Sequence, residues 1–87
     1  MTARLWIEGE AIAVRCSDAG RPLGFTWREQ TYRVRQVCNR WRVSEEWWRS
    51  EPAAWREYIK LVTEEGLLCL IAWDIADDRW FLIRVFD

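Results

Sequence analysis

The sequence contains no histidine, and this absence excludes several kinds of catalytic and metal site. Histidine is the commonest general base, a member of the usual nucleophilic triads and a frequent zinc ligand. The three cysteines, Cys16, Cys38 and Cys69, form no Cys-x-x-Cys pair, so their spacing gives no zinc knuckle. A nucleophilic cysteine would also lack an imidazole base. We therefore expect neither a zinc site nor cysteine-based catalysis.

Glycine and proline are scarce, with four and two residues. The glycines are isolated, so no glycine-rich loop is present to hold a phosphate. The acidic group Asp74, Asp77 and Asp78 lacks the spaced oxygen ligands and bidentate glutamate of a calcium loop, and an exposed turn is the simpler interpretation. The remaining enzymatic alternative is a carboxylate dyad drawn from Glu45, Glu46 and Glu51. Because the sequence indicates no geometry for that dyad, we expect no enzymatic activity, metal or cofactor.

Long apolar runs are missing as well. The longest uncharged apolar stretch lies between Glu65 and Asp74, far short of the roughly 20 residues of a membrane-spanning helix. The opening residues, MTARLWIEGE, lack the apolar segment of a signal peptide. An odd number of widely spaced cysteines favours reduced, buried thiols over a disulfide framework. Together these features predict a cytoplasmic protein without a membrane segment.

Tryptophan and arginine, in contrast, are abundant. Eight of the 87 residues are tryptophan, and Lys60 is the only lysine among 13 cations. Indole rings suit both cores and contact surfaces, and arginine forks onto carboxylates and phosphates. The charges are uneven: eight arginines accompany four acids up to Ser44, whereas five cations accompany ten acids from Glu45 onward. The net charge of −1 argues against a general nucleic-acid coating protein.

The length of 87 residues predicts one domain, residues 1–87, and alternating side chains predict that it is built from β-strands. A first hairpin runs through Leu5 and Ile7, turns at Gly9 and ends at Cys16. A second hairpin turns at residues 28–30 and returns in a long strand that reaches about Val43. The final third predicts a meander with strands at residues 55–63, 67–73 and 79–86.

The segment from Ser50 to Glu65 has two interpretations. Ser50 as a cap, Pro52 in the first turn and Gly66 as a stop favour a helix. The β-branched and aromatic residues of 58–63 favour a strand, which is the prediction adopted here. The fold class is therefore all-β, with six to seven antiparallel strands in a strongly curved meander sheet or small open barrel. The predicted core contains Leu5, Ile7, Val14, Phe25, Trp27, Tyr32, Val34, Trp41, Leu70, Trp80 and Leu82.

The alternation of the long strand slips once. Tyr32 and Val34 share one face, whereas Trp41 and Val43 have the opposite parity. One extra residue near Gln36, a β-bulge, restores a single inward face. With that bulge, one outward arginine row is predicted, consisting of Arg33, Arg35, Arg40 and Arg42.

Two stretches carry a resemblance to known proteins. The first reads PLGFTW at 22–27, YRV at 32–34 and RWR at 40–42. The second reads WWR at 47–49, REY at 56–58 and DRWFLIRVFD at 78–87. Together they resemble an uncharacterised bacterial family of small stand-alone domains.

The second stretch is also similar to the C-terminal tail of the Y-family polymerase-like protein of the damage-induced mutagenesis cassette. In that tail a Trp-Trp pair precedes an Arg-Asp/Glu-Tyr-Tyr strand and a Gly-Arg-Trp-Phe-Leu hairpin. The present chain has Asp78 in place of that glycine and Ile59 in place of the second tyrosine. The resemblance implies a β-rich accessory module associated with translesion synthesis and without enzymatic activity.

Two features are candidates for binding. Trp47 and Trp48 are adjacent, so in an extended chain their side chains point to opposite faces and one ring is available as a partner anchor. The alternative is that both rings pack into the core and its cover. The arginine row is either a binding strip or a solvated face paired with Glu57 or Glu64.

The leading hypothesis is a non-catalytic interaction module that binds a protein partner, linked to DNA-damage tolerance by the resemblance. The runner-up is a module for single-stranded nucleic acid, in which cations follow the backbone and rings stack on bases. The sequence indicates no membrane partner and does not fix the oligomeric state. The candidate binding residues are Trp47, Trp48, Arg33, Arg35, Arg40, Arg42 and Arg49.

Overall fold

The computed structural model describes residues 9–44 and 55–86, which form a barrel of six antiparallel strands. The strands are β1 (Glu10–Cys16), β2 (Pro22–Trp27), β3 (Gln30–Ser44), β4 (Trp55–Thr63), β5 (Leu68–Asp74) and β6 (Arg79–Phe86). Each strand pairs with the next, and β1 pairs with β6 to close the sheet. The all-β prediction is confirmed, and the barrel is closed rather than open. The described residues contain no helix.

The segment with two interpretations is a strand over its described part, from Trp55 onward. Its burial alternates with a period of two, and the buried positions are Glu57, Ile59, Leu61 and Thr63. This period is the signature of a strand with one face in a core. The strand prediction for residues 55–63 is therefore confirmed, while residues 50–54 lie outside the described residues.

A two-residue turn at Arg28 and Glu29 joins β2 to β3. Their φ angles are 52° and 65°, so both have left-handed backbone. This pattern is that of a type I′ turn, whose twist matches the flanking strands. The turn lies where the sequence predicted it, although neither residue is a glycine or asparagine.

The core fills the inside of the barrel. The buried cluster consists of Phe25, Tyr32, Ile59, Leu61, Cys69, Ile71 and Leu82, with Val14, Trp27, Val34 and Trp80 packed against it. Most of the predicted core is therefore confirmed, whereas Leu5 and Ile7 lie outside the described residues. Leu70 was predicted wrongly, because its neighbours Cys69 and Ile71 take the inward positions and direct Leu70 outward.

Strand β3 contains two β-bulges, and the second one changes the predicted faces. The first lies between Val34 and Gln36, where the sequence predicted it. The second lies between Val37 and Asn39 and reverses the parity again. Trp41 consequently lies on the outer face, opposite Tyr58, and is 39% exposed. Its assignment to the core was wrong.

The same second bulge divides the predicted arginine row. Arg40 and Arg42 lie opposite Ile59 and Glu57, two residues that face the barrel interior. Arg33 remains on the outer face, since the adjacent Tyr32 is buried. The four arginines therefore do not share one outward face. The first bulge changes the parity of the strand and the second one changes it back, so Arg40 and Arg42 return to the inner face.

The cysteines also differ from expectation. Cys69 is buried, and burial raises the pKa of its thiol to about 11. Cys16 and Cys38 are exposed, so the prediction of three buried thiols was wrong for two of them. Cys38 is the extra residue of the second bulge, which removes it from the inward alternation.

Candidate binding surfaces

The strands of the barrel are cationic and their connections are acidic. Nine cations lie on strands, namely Arg15, Arg33, Arg35, Arg40, Arg42, Arg56, Lys60, Arg79 and Arg84. The acids on strands are Glu10, Glu57 and Asp74. The described connections hold the acids Asp18, Glu29, Glu64, Glu65, Asp77 and Asp78 and the cations Arg21 and Arg28. A chain of net charge −1 therefore has a positively charged wall.

The outer face of β3–β6, called the aromatic face below, is unusually apolar for a barrel exterior. Its sixteen positions are Gln36, Asn39, Trp41, Val43, Arg56, Tyr58, Lys60, Val62, Leu68, Leu70, Ala72, Asp74, Arg79, Phe81, Arg84 and Phe86. Nine of them are apolar or aromatic. An antiparallel sheet that faces water usually alternates with polar residues on that side. Ala72 is fully buried even though it faces outward.

Cations and rings are in direct contact on the aromatic face. The guanidiniums of Arg56 and Arg79 lie 4.9 and 5.3 Å from the ring centre of Phe81. The Lys60 ammonium and the Arg84 guanidinium each lie 5.3 Å from the ring centre of Phe86. Cation–π contacts hold a charged group against apolar surface.

The large apolar side chains of the aromatic face are most exposed along β3. Trp41 and Val43, both on β3, are 39% and 36% exposed. Trp41 stacks on Tyr58 with ring centres 5.9 Å apart and an angle of 14° between the rings. A partially exposed, prestacked indole loses little conformational freedom on binding, which favours its use as an anchor.

An ion cluster lies on the inner side of the same strands. Glu57 is 6% exposed and accepts a hydrogen bond from Nε of Arg40, while Arg42 Nε lies 3.5 Å from Glu57 Oε1. Arg40 Nη2 also donates to the carbonyl oxygen of Gly20, at 3.2 Å. The cluster joins β3, β4 and the β1–β2 loop, so its direct effect is structural.

Two stacked indoles, Trp73 and Trp80, lie beside Glu57 on the inner side of β5 and β6. Trp73 lies opposite Glu57 and also opposite Trp80, and the two indole centres are 5.5 Å apart. Trp73 Nε1 donates to Asp78 Oδ1 at 2.9 Å. Asp78 has a φ of 55°, and its contact with Trp73 ties the β5–β6 turn to the barrel end.

The outer face of β1–β3 has a different character. Arg15, Gly24 and Arg33 form one cross-strand row, and the next row consists of Ala13, Thr26 and Thr31. Among the described residues, no acid lies in either row and no ion pair includes Arg15 or Arg33. This surface combines two arginines with small side chains and is positively charged.

A cavity of about 370 Å³ opens where β6 runs past the start of β1, lined by Glu10, Trp27 and residues 82–85. The pKa of the Glu10 carboxyl is lowered, first by the Trp27 indole N–H and then by Arg28. Trp27 Nε1 is buried, and its contact with Glu10 falls short of hydrogen-bond geometry. Arg28 completes an exposed ion pair with Glu10 at 3.4 Å.

The structure brings together only some of the sequence-predicted site residues. Arg33 and the exposed bulge residue Arg35 lie on the outside of β3, whereas Arg40 and Arg42 bind Glu57. For Arg40 and Arg42, pairing with Glu57 is the alternative to a binding strip that the sequence analysis gave. Trp47, Trp48 and Arg49 lie outside the described residues.

Sequence reasoning missed the cations and rings of β4 and β6, namely Arg56, Tyr58, Lys60, Arg79, Phe81, Arg84 and Phe86. A signal was present, because Arg56, Tyr58 and Lys60 recur with a period of two. Both faces of these strands hold large apolar residues, however, so alternation alone does not tell which face is outside.

Within residues 9–44 and 55–86, no group of three potential metal-ligating side chains comes together. The same residues hold no helix of sufficient length and apolarity to cross a membrane. Comparison with curated proteins and with solved structures yields no match. A family profile does match, over residues 5–87, and the chain therefore belongs to the family described as a domain of unknown function, DUF6504.

Proposed function

We propose that this domain is a non-catalytic interaction module that binds an acidic protein partner on its aromatic face. The observation that carries the proposal is the composition of that face, which combines nine apolar or aromatic residues with four cations and one acid. Aromatic residues and arginine are the types enriched at protein interfaces. The excess of cations favours a partner segment rich in aspartate or glutamate.

The size of the aromatic face fits a modest interface. Four strands about 4.8 Å apart, each contributing about seven residues of 3.4 Å, give a footprint of roughly 450 Å². Functional patches on monomeric proteins are commonly about 300–600 Å². We therefore expect a partner segment, such as one strand or helix, with micromolar rather than nanomolar affinity.

Trp41 is the expected anchor, because its ring is exposed on the β3 side of the aromatic face. Lys60 and Arg84 lie one row away on the same face and supply charge complementarity. Their contacts with Phe86 hold the charged groups in place before a partner arrives. This preorganisation reduces the entropy lost on binding.

The DUF6504 description assigns no function to the family. We place the partner among the proteins of DNA-damage tolerance on the resemblance of residues 47–87 to the tail of the polymerase-like mutagenesis protein. The binding proposal stands on the aromatic face itself and does not depend on this setting.

The test uses a photo-crosslinking amino acid placed at Val43 or Val62 of the full chain, followed by identification of the crosslinked peptide and titration of that peptide by calorimetry. The proposal expects an acidic peptide, and it expects Trp41→Ala and Lys60→Glu each to weaken its binding at least tenfold. The matched control is Arg33→Glu, on the outer face of β1–β3 and outside the aromatic face, which should bind normally. A peptide without acidic residues, or one bound equally well by all variants, would overturn the proposal.

A further inference from the structure

Arg15, Gly24 and Arg33 form a row across the outer face of β1–β3 that brings two arginines close together. The three residues are direct neighbours across β1, β2 and β3, and all face outward because Val14, Phe25 and Tyr32 pack inward. Adjacent strands lie about 4.8 Å apart, so the two arginine backbones are roughly 10 Å apart with the glycine between them. That separation allows the two long side chains to converge on one group.

Gly24 is required at the centre of this row for space, since its φ is not in the left-handed region. A Cβ at this position would collide with Nη2 of Arg15 and would lie 2.7 Å from the carbonyl oxygen of Tyr32. The Arg15 guanidinium therefore lies over the backbone of β2 at Gly24. Any larger residue would displace it.

The arginines of this row differ from other arginines of the barrel in their ion pairing. Arg40 and Arg42 bind Glu57, and Arg28 binds Glu10. For Arg15, Arg33 and the adjacent bulge residue Arg35, no ion pair is found among the described residues. The two cross-strand rows contain no acid, and the acid beside them is Glu64, whose backbone N–H donates to the Arg33 carbonyl oxygen at 2.9 Å.

The surroundings fit an extended anionic chain. Ala13, Thr26 and Thr31 are small, so a backbone can approach the sheet closely, and the two hydroxyls are hydrogen-bond donors. Leu23, which precedes Gly24 on β2, is 46% exposed and offers apolar contact. Arginine forks bind phosphate oxygens through paired hydrogen bonds.

We infer that the outer face of β1–β3 binds the phosphodiester backbone of a single-stranded nucleic acid, with phosphates held by Arg15, Arg33 and Arg35. A sheet surface of this kind suits a single strand, whose phosphates can follow a row of cations. The inference goes beyond the proposed function, because both the face and the ligand differ. A single-stranded DNA and a single-stranded RNA present the same phosphodiester group.

The test is fluorescence anisotropy of labelled oligothymidylate and oligouridylate titrated with the full chain over a range of salt concentrations. For single strands the slope of log K against log salt is about −0.7 per phosphate neutralised, so three arginines give a slope near −2. Arg15→Gln and Arg33→Gln should each reduce the slope by about 0.7 in magnitude. Arg28→Gln, in the β2–β3 turn, is the matched control and should leave the slope unchanged.

Gly24→Ala adds a structural test, because it displaces the Arg15 guanidinium without removing a charge. It should weaken binding by several-fold, and its circular dichroism spectrum reports whether the barrel remains folded. Arg15→Gln keeps the inference testable if the glycine variant unfolds. Equal binding of DNA and RNA supports contact through the phosphodiester group that they share. A preference for one of them also supports the inference and indicates an additional contact with the sugar at the same row.

Three results would overturn the inference. The first is no change in anisotropy at micromolar protein in low salt. The second is a salt slope that the Arg15 and Arg33 variants leave unchanged. The third is binding of inorganic phosphate or polyglutamate, with the same arginine dependence, in the absence of oligonucleotide binding. None of these results affects the aromatic face, so the proposed protein interaction is tested separately.

Discussion

Trp41 stacks on Tyr58 on the outside of the barrel, with the ring centres 5.9 Å apart. The pair exists because β3 contains two bulges, at Arg35 and Cys38, which together return the strand to its original parity. With the first bulge alone, Trp41 would enter the core and Arg40 and Arg42 would face solvent. The second bulge instead gives the aromatic face its anchor and places two guanidiniums on Glu57.

The exposed position of Trp41 predicts a small effect on stability. Trp41→Ala should lower the free energy of unfolding by about 1 kcal/mol or less, because it removes one aromatic pair on the surface. Phe25→Ala is the contrast, since Phe25 is 1% exposed and stacks on Tyr32, and its loss should cost about 3–5 kcal/mol. Urea denaturation measures both values. Equal losses would contradict the outward placement of Trp41.

Glu57 should be important for stability. Glu57→Gln removes the carboxylate that binds Arg40 and Arg42, whose side chains are 33% and 60% exposed. Breaking a fully buried pair costs about 3–5 kcal/mol, and solvent at the arginines reduces this to roughly 1–3 kcal/mol. Arg42→Gln should cost less than about 1 kcal/mol, because that guanidinium is mostly solvated. The reverse order of the two losses in urea denaturation would contradict the described cluster.

The β2–β3 turn offers a stabilising substitution. Glu29 has a φ of 65°, which glycine adopts without the strain of a Cβ. Glu29→Gly should therefore raise the free energy of unfolding by about 0.5–1 kcal/mol. Gly66→Ala is the opposite change at a φ of 95°, and it should lower the melting temperature. A lower melting temperature for Glu29→Gly would be inconsistent with the type I′ turn.

The pKa of Glu10 predicts a contribution to stability at acidic pH. Trp27 and Arg28 lower this pKa in the folded state, so folding favours the carboxylate. The contribution is present above the unfolded-state pKa and is lost as the pH falls through the lower, folded-state pKa. Carboxyl NMR titration should therefore show a lowered midpoint for Glu10 that rises in Trp27→Phe. An unchanged midpoint in that variant would exclude the indole as the first cause.

The thiols should react in a fixed order. Cys38 and Cys16 are exposed, and burial raises the pKa of Cys16. Cys69 is buried with a pKa of about 11. A disulfide reagent at neutral pH should label Cys38 first and Cys16 more slowly, and should reach Cys69 only after denaturation. Rapid labelling of Cys69 in the native protein would contradict its place in the core.

The strands of the second half were predictable because their pattern is local. Residues 55–63 and 79–86 alternate over short distances and are bounded by turns at Gly66 and Asp78. The candidate surfaces were less predictable. The cations of β4 and β6 belong to one surface only because β5 lies between them, and sequence separation hides that neighbourhood.

The sequence by itself determined that the chain is all-β, where most strands begin and end, and which residues are the main core candidates. Those properties follow from side-chain period and turn chemistry, which act between near neighbours. The tertiary structure alone decided which side of β3 faces water beyond Val37, because the second bulge is fixed by pairing with β4. Closure of β1 on β6 then defined inside and outside, and with them the two surfaces proposed for binding.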